Sequence, residues 1–276
     1  MKKSVLLLLL LVLFSAEFSR GQISPPNQAG VSMGMLETYI PDVDADKNFW
    51  IALGGTLVPV TTAHYPGNAV IVKFPSVLIT MRKDTRPGTE GSVVDHVGFT
   101  VRNVGESMAK WKAAALKTEP GKNAKQLFLT TPDGLIKIEI SENRSLSVPI
   151  AFTHIYFAVS ESGSGGKATP SEMQDWYVKV LGAKQGKRSN SQADADVAGV
   201  TLTFTKFDTP TAPSKGRALD RINFEVKGEE AFCKKLEAGG VKLDRPCVQL
   251  PNGNWAGFLT DPGGTNVELN EGLTLM

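Results

Sequence analysis

Little in this chain advertises a function. Its 276 residues include only three histidines and two cysteines. So few cysteines exclude a disulfide-dense scaffold and the multi-cysteine zinc modules. Nucleophile elbow, phosphate-binding glycine loop and zinc-finger spacing are all missing, which removes the best-marked hydrolase, nucleotide and finger classes. Long apolar runs are also scarce. The one present, Val5 to Phe14, is about half of what a bilayer requires. It follows Lys2 and Lys3 and gives way to small and polar residues, so residues 1–21 read as a secretory signal peptide, cut after Ala16 or Gly21. No cysteine stands nearby to carry a lipid anchor. Removing this segment takes away Lys2, Lys3, Arg20 and Glu17 and leaves the rest formally neutral. A neutral chain without a basic cluster has no basis for a nucleic-acid partner. The expected setting is secreted or periplasmic, with no membrane association after cleavage. There Cys233 and Cys247 form either a disulfide or two separate buried thiols; their spacing does not decide.

What is present is an ordinary globular composition, 41% hydrophobic and 21% charged, carrying a repeated plan. Leu219–Val226 alternates, with Ile222, Phe224 and Val226 on one face and Arg221, Asn223 and Glu225 on the other. A helix over Glu229–Ala238 follows, stopped by Gly239-Gly240, and the unit closes on strands around an Asp-Pro-Gly-Gly turn. The plan occurs three more times. After a linker at 22–34, the first copy has a strand at Met35–Ile40 and a helix with Phe49, Trp50 and Leu53, capped by Asp42 or Asp44. The second begins at Asp95–Val101, with a helix from about Glu106 to Leu116. The third begins at Phe152–Val159, with a helix from about Ser171 to Leu181. Units of roughly fifty residues do not bury a core alone. The expected fold is α+β: four βαβββ modules pair, consecutive ones together, into two tandem domains at 35–145 and 150–272. The apolar strand faces meet the helices. The opposite faces line grooves, which receive Met35, His96, His154 and Arg221 at matching places.

His96-Val97-Gly98-Phe99-Thr100-Val101, Pro132-Asp133-Gly134 before Ile138-Glu139-Ile140, and Asp261-Pro262-Gly263-Gly264 before Val267-Glu268-Leu269 carry a family likeness. On these pieces and their order, the chain resembles the vicinal oxygen chelate (VOC) superfamily of glyoxalases, bleomycin-resistance proteins and extradiol dioxygenases. The resemblance covers essentially everything after the leader. It implies two glyoxalase-like domains and, in metal-using members, a histidine or glutamine from each module's first strand and a glutamate from its last. The metal then chelates two neighbouring substrate oxygens. It also implies one divalent ion (iron, manganese, nickel or zinc), with a metal-free protein as the open alternative.

In this chain the four positions of the first domain read Met35, Thr80, His96 and Glu139; those of the second read His154, Thr203, Arg221 and Glu268. Two incomplete metal sites result, His96 with Glu139 and His154 with Glu268, and Glu37 is a candidate third ligand in the first. Arg221 opposes a cation and either pairs with Glu268 or receives an anionic substrate group. Tyr39 and Tyr156 share the groove facing and are candidate substrate contacts. His64 reads as a loop histidine.

Two functions follow. One is an exported metal-dependent lyase, isomerase or dioxygenase acting on a small molecule with vicinal oxygens; export counts against a glutathione-dependent glyoxalase. The other is a non-catalytic small-molecule-binding protein with degenerate sites. A third ligand converging on either histidine–glutamate pair separates them. The expected assembly is a monomer or homodimer.

Overall fold

The computed structural model describes residues 23–59, 69–251, 253 and 255–276. His64 and the leader lie outside the described residues. Four βαβββ modules follow one another. The first is β1 (Val31–Ile40), α1 (Val43–Leu53), β2 (Thr56–Val58), β3 (Val70–Phe74) and β4 (Val77–Lys83). The second is β5 (Val94–Val101), α2 (Val104–Ala113), β6 (Thr118–Pro120), β7 (Gln126–Thr130) and β8 (Lys137–Glu142). The third is β9 (Ile150–Val159), α3 (Pro170–Leu181), β10 (Lys184–Arg188), β11 (Gln192–Val197) and β12 (Val200–Lys206). The fourth is β13 (Leu219–Val226), α4 (Glu229–Ala238), β14 (Arg245–Gln249), β15 (Trp255–Thr260) and β16 (Asn266–Glu271). Strand β1 starts at Val31, inside the stretch read as a linker, because its first residues pair with the end of β13.

Local chemistry sets the helix starts. The Asp42 side chain accepts from the Ala45 amide, and Asn103 does the same for Glu106. Thr169 and Glu172 form a capping box ahead of α3, with Pro170 in the first turn and Gly182 closing the helix at positive φ. Helix α4 has no side-chain cap of its own. The Glu271 carboxylate, from β16, accepts from the Gly228 and Glu229 amides instead.

The sheets correct the expected pairing of consecutive modules. One eight-stranded sheet runs β14-β15-β16-β13-β1-β4-β3-β2 and joins the fourth module to the first. The other runs β10-β11-β12-β9-β5-β8-β7-β6 and joins the third to the second. Segments 35–145 and 150–272 therefore do not each build a sheet. Each first strand takes its own module's last strand in parallel on one edge and another module's first strand antiparallel on the other. The free edge is the same in every module, so chain order does not select its partner. Only the short link 143–149 joins modules within a sheet; links 84–93 and 207–218 cross between sheets.

Consecutive modules instead meet across the core. Phe74 and Phe99 lie 4.8 Å apart, and the Trp111 indole donates to the Leu53 carbonyl at 3.3 Å. Tyr177 packs on Phe224 and donates to Asp261 at 2.9 Å. The apolar triplets Val97/Phe99/Val101, Ile155/Phe157/Val159 and Ile222/Phe224/Val226 are all buried in this one core, as their alternation predicts. Cys233 on α4 and Cys247 on β14 form a disulfide with Cα atoms 6.3 Å apart, which decides between the two readings of that pair. Among the described residues no helix is long and apolar enough to cross a membrane.

Candidate metal centre

The sheet registers fix the four module positions. In each module the last-strand residue lies opposite the residue two beyond the first-strand position. Glu139 is opposite Gly98, Thr203 opposite Tyr156, Thr80 opposite Glu37, and Glu268 opposite Asn223. Because the second and third modules share a sheet, the first groove contains His96, Glu139, His154 and Thr203. The other contains Met35, Thr80, Arg221 and Glu268.

In the first groove three donors converge. His96 Nε2 lies 3.1 Å from Glu139 Oε2, and His154 Nε2 lies 3.7 Å from the same oxygen. Ligand atoms of all three fall within 4.8 Å of one another. Glycine makes this approach feasible. Gly98 stands between Glu139 and His154 in the ladder, and a Cβ there would lie 1.8 Å from His154 Cε1. A bulge in β5 between Val94 and His96 turns the neighbouring Asp95 toward the same side. The Asp95 carboxylate then hydrogen-bonds His96 Nδ1 at 2.5 Å and leaves Nε2 for the groove. Gln126 Nε2 donates to Glu139 Oε1 at 2.7 Å. Tyr156 stacks on His96 with centroids 4.6 Å apart, and Phe128 meets the same imidazole edge-on. Thr205 donates to the Tyr156 oxygen at 2.7 Å.

Electrostatics follow from this packing. Burial opposes charge on His96, yet hydrogen bonds with Asp95 and Glu139 raise its pKa overall. Burial likewise opposes the Glu139 carboxylate, but His154, His96 and Gln126 together hold its pKa far below the ordinary value. The site therefore offers a committed carboxylate beside two imidazoles.

The donor set fits a divalent ion. Two imidazole nitrogens and one carboxylate oxygen suit first-row metals. Bonds of about 2.0–2.2 Å place neighbouring ligand atoms about 3 Å apart, against the 3.1 Å and 3.7 Å that separate the two imidazoles from Glu139. Outer-shell support from Asp95 and Gln126 completes the arrangement. Thr203 at the fourth position supplies no charge.

The second groove is built differently, and two expectations are corrected there. His154 and Glu268 stand on different sheets and form no pair. Glu37 is not near His96; it accepts from Arg82 at 2.7 Å and lies 3.6 Å from Arg221. Arg221 donates to Glu268 at 3.0 Å and to the Tyr39 hydroxyl at 3.1 Å. Asn223 and Asn270 also donate to Glu268. An arginine thus occupies a histidine position, and Glu268, Asp220 and Glu37 offset its charge. Of the tyrosines, Tyr156 belongs to the histidine groove and Tyr39 to the arginine groove.

Sequence reasoning did not assign roles to Gly98, Asp95, Gln126 or Phe128. Gln126 and Phe128 reach Glu139 through the antiparallel pairing of β7 with β8, and the bulge in β5 explains Asp95.

Comparison with known proteins agrees with this architecture. Residues 168–269 match the Glyoxalase/Bleomycin resistance protein/Dioxygenase superfamily. No curated protein matches the sequence. Among solved structures, glyoxalase I from Zea mays is similar at 18% identity, with a TM-score of 0.67, over 89% of this chain and 94% of that one. A putative dioxygenase from Bacillus subtilis is similar at 14% identity, with a TM-score of 0.64, over 91% and 86% of the two chains. At such identities the structures speak for the fold. The family match covers the third and fourth modules, and the tandem glyoxalase fold extends over the whole chain.

Proposed function

We propose that the protein is a divalent-metal-dependent enzyme acting on a small molecule with two neighbouring oxygens, and that its centre is His96, Glu139 and His154. The observation that carries this is the convergence of a third donor, His154, on the pair that the sequence already suggested. When bound, the ion supplies Lewis-acid stabilisation to the substrate oxygens. The donor set favours a dioxygenase-type reaction over a glyoxalase-type one. Two histidines and one carboxylate, with Thr203 in place of a second carboxylate, leave positions open for both substrate and dioxygen.

The chain's own side chains have definable tasks. Asp95 and Gln126 hold His96 and Glu139 in orientation. Phe128 and the Tyr156 ring give the groove flat walls. The Tyr156 oxygen accepts from Thr205, which leaves its own proton for a further acceptor. The segment Lys2–Phe14 supports export, and the Cys233–Cys247 disulfide is consistent with an oxidising compartment.

The test is metal content by elemental mass spectrometry of protein purified without a histidine tag or chelator. It is paired with oxygen uptake on catechol after anaerobic loading with ferrous ion. About one equivalent of metal, lost in His154→Ala and in Glu139→Gln, is expected. Protein that stays empty after dialysis against iron, manganese, nickel and zinc refutes the metal reading. Stoichiometric metal without oxygen uptake on any vicinal diol removes the dioxygenase reading and leaves lyase or isomerase chemistry.

A further inference from the structure

The arginine groove is more than a filled metal site. Arg221 forms the floor of a cavity of about 300 Å³. Two aromatic faces bound it, each already carrying a guanidinium. Arg86 lies 3.3 Å over the Tyr39 ring, and Arg245 lies 3.6 Å over Phe258, whose ring Arg221 also approaches at 5.6 Å. Lys215 is the fourth cation on the wall.

Charge neutralisation here is uneven. Arg221 is offset by Glu268 and Glu37 behind it. Arg86 is offset by Asp84 and by Asp220 at 2.6 Å. Asp220 is fully engaged, since it also takes hydrogen bonds from Asn266 and the Gly216 amide. The other acid on the wall, Asp244, accepts from the Thr260 hydroxyl. Arg245 and Lys215 are different: among the described residues neither has a carboxylate ion-pair partner. Two cations without an ion-pair partner of their own therefore face a cavity walled by guanidinium-covered aromatic rings. Guanidinium groups bind carboxylates as a planar fork through their edges, and their planes stack with flat bodies.

We propose that this groove is a binding site for a small organic carboxylate with a flat apolar body, separate from the metal centre. The carboxylate meets Arg245 and Lys215, and the flat body stacks on the guanidinium planes that cover Tyr39 and Phe258. The proposal does not rest on the metal reading, because none of its residues belongs to the histidine groove.

Benzoate is the probe, titrated into full-length processed protein by calorimetry at constant ionic strength, with chloride and inorganic phosphate as controls. Saturable benzoate binding is expected, weakened at least about tenfold in Arg245→Ala/Lys215→Ala and unchanged in His96→Ala. Both substituted side chains are exposed, so the double variant keeps its fold; a thermal melt of each variant verifies this. Three results would overturn the proposal. One is no saturable binding to the wild type. Another is equal affinity in the double variant, or loss in His96→Ala, which moves the anion to the other groove. The third is phosphate binding as tightly as benzoate, which removes the role of the stacking walls.

Discussion

Replacing Gly98 with alanine tests whether a missing side chain, as much as the ligands themselves, makes the centre. The added Cβ would lie 1.8 Å from His154 Cε1. Ordinary carbon–carbon contact begins at about 3.5 Å, so the imidazole must withdraw by about 1.7 Å. Ligand distances in a metal site tolerate about 0.2 Å, so His154 is lost as a donor. Losing an outer-shell partner costs about 10–100-fold in metal affinity; losing a ligand position should cost at least about 100-fold. The fold should survive. Gly98 is not among the positive-φ glycines, so alanine gains about 0.5–1 kcal/mol in strand preference against about 1–3 kcal/mol of overpacking. Metal titration monitored by competition with a chromophoric chelator reads the affinity, and urea unfolding of the metal-free protein reads the stability. Gly105→Ala is the control, since its Cβ would meet only Asn103 Oδ1, at 3.4 Å. A Gly98→Ala protein that binds metal as tightly as the wild type would refute the assignment of His154.

Two further outcomes concern stability. The disulfide closes a short loop between α4 and β14, so Cys247→Ser should lower the unfolding free energy by about 3 kcal/mol. Metal stoichiometry should not change, because that module belongs to the other sheet; loss of metal in this variant would contradict the separation of the two grooves. Glu229 is fully buried at the start of α4, and burial, reinforced by Glu268, Glu271 and Glu225, raises its pKa to about 9. Its stabilising protonated form is fully present below about pH 4.5 and is lost as pH rises through about 9. Asp46, raised to about 8 by burial beside Asp133 and Asp42, adds the same sign. Glu229→Gln should therefore flatten part of the fall in stability between pH 5 and 8.5, by an amount on the order of a few kcal/mol. Identical slopes for variant and wild type in urea titrations would show that Glu229 does not carry the effect.

The sequence alone settled the repeat. Strand alternation and helix periodicity are local properties, so β13, α4 and the triplets of Val97, Ile155 and Ile222 were legible without a partner. The same parity put Met35, His96, His154 and Arg221 on groove faces, and the family resemblance added Glu139 and Glu268. Which of them share a groove was not legible. Every module offers the same free strand edge, and the choice among edges depends on how whole surfaces fit across a common core. Pairing the second module with the third brought His154 to His96 and Glu139; pairing the first with the fourth gave Glu37 to Arg221. A bulge at Asp95 and an absent side chain at Gly98 then completed the centre. Both act through space between strands distant in the chain, which a pattern within one strand does not encode.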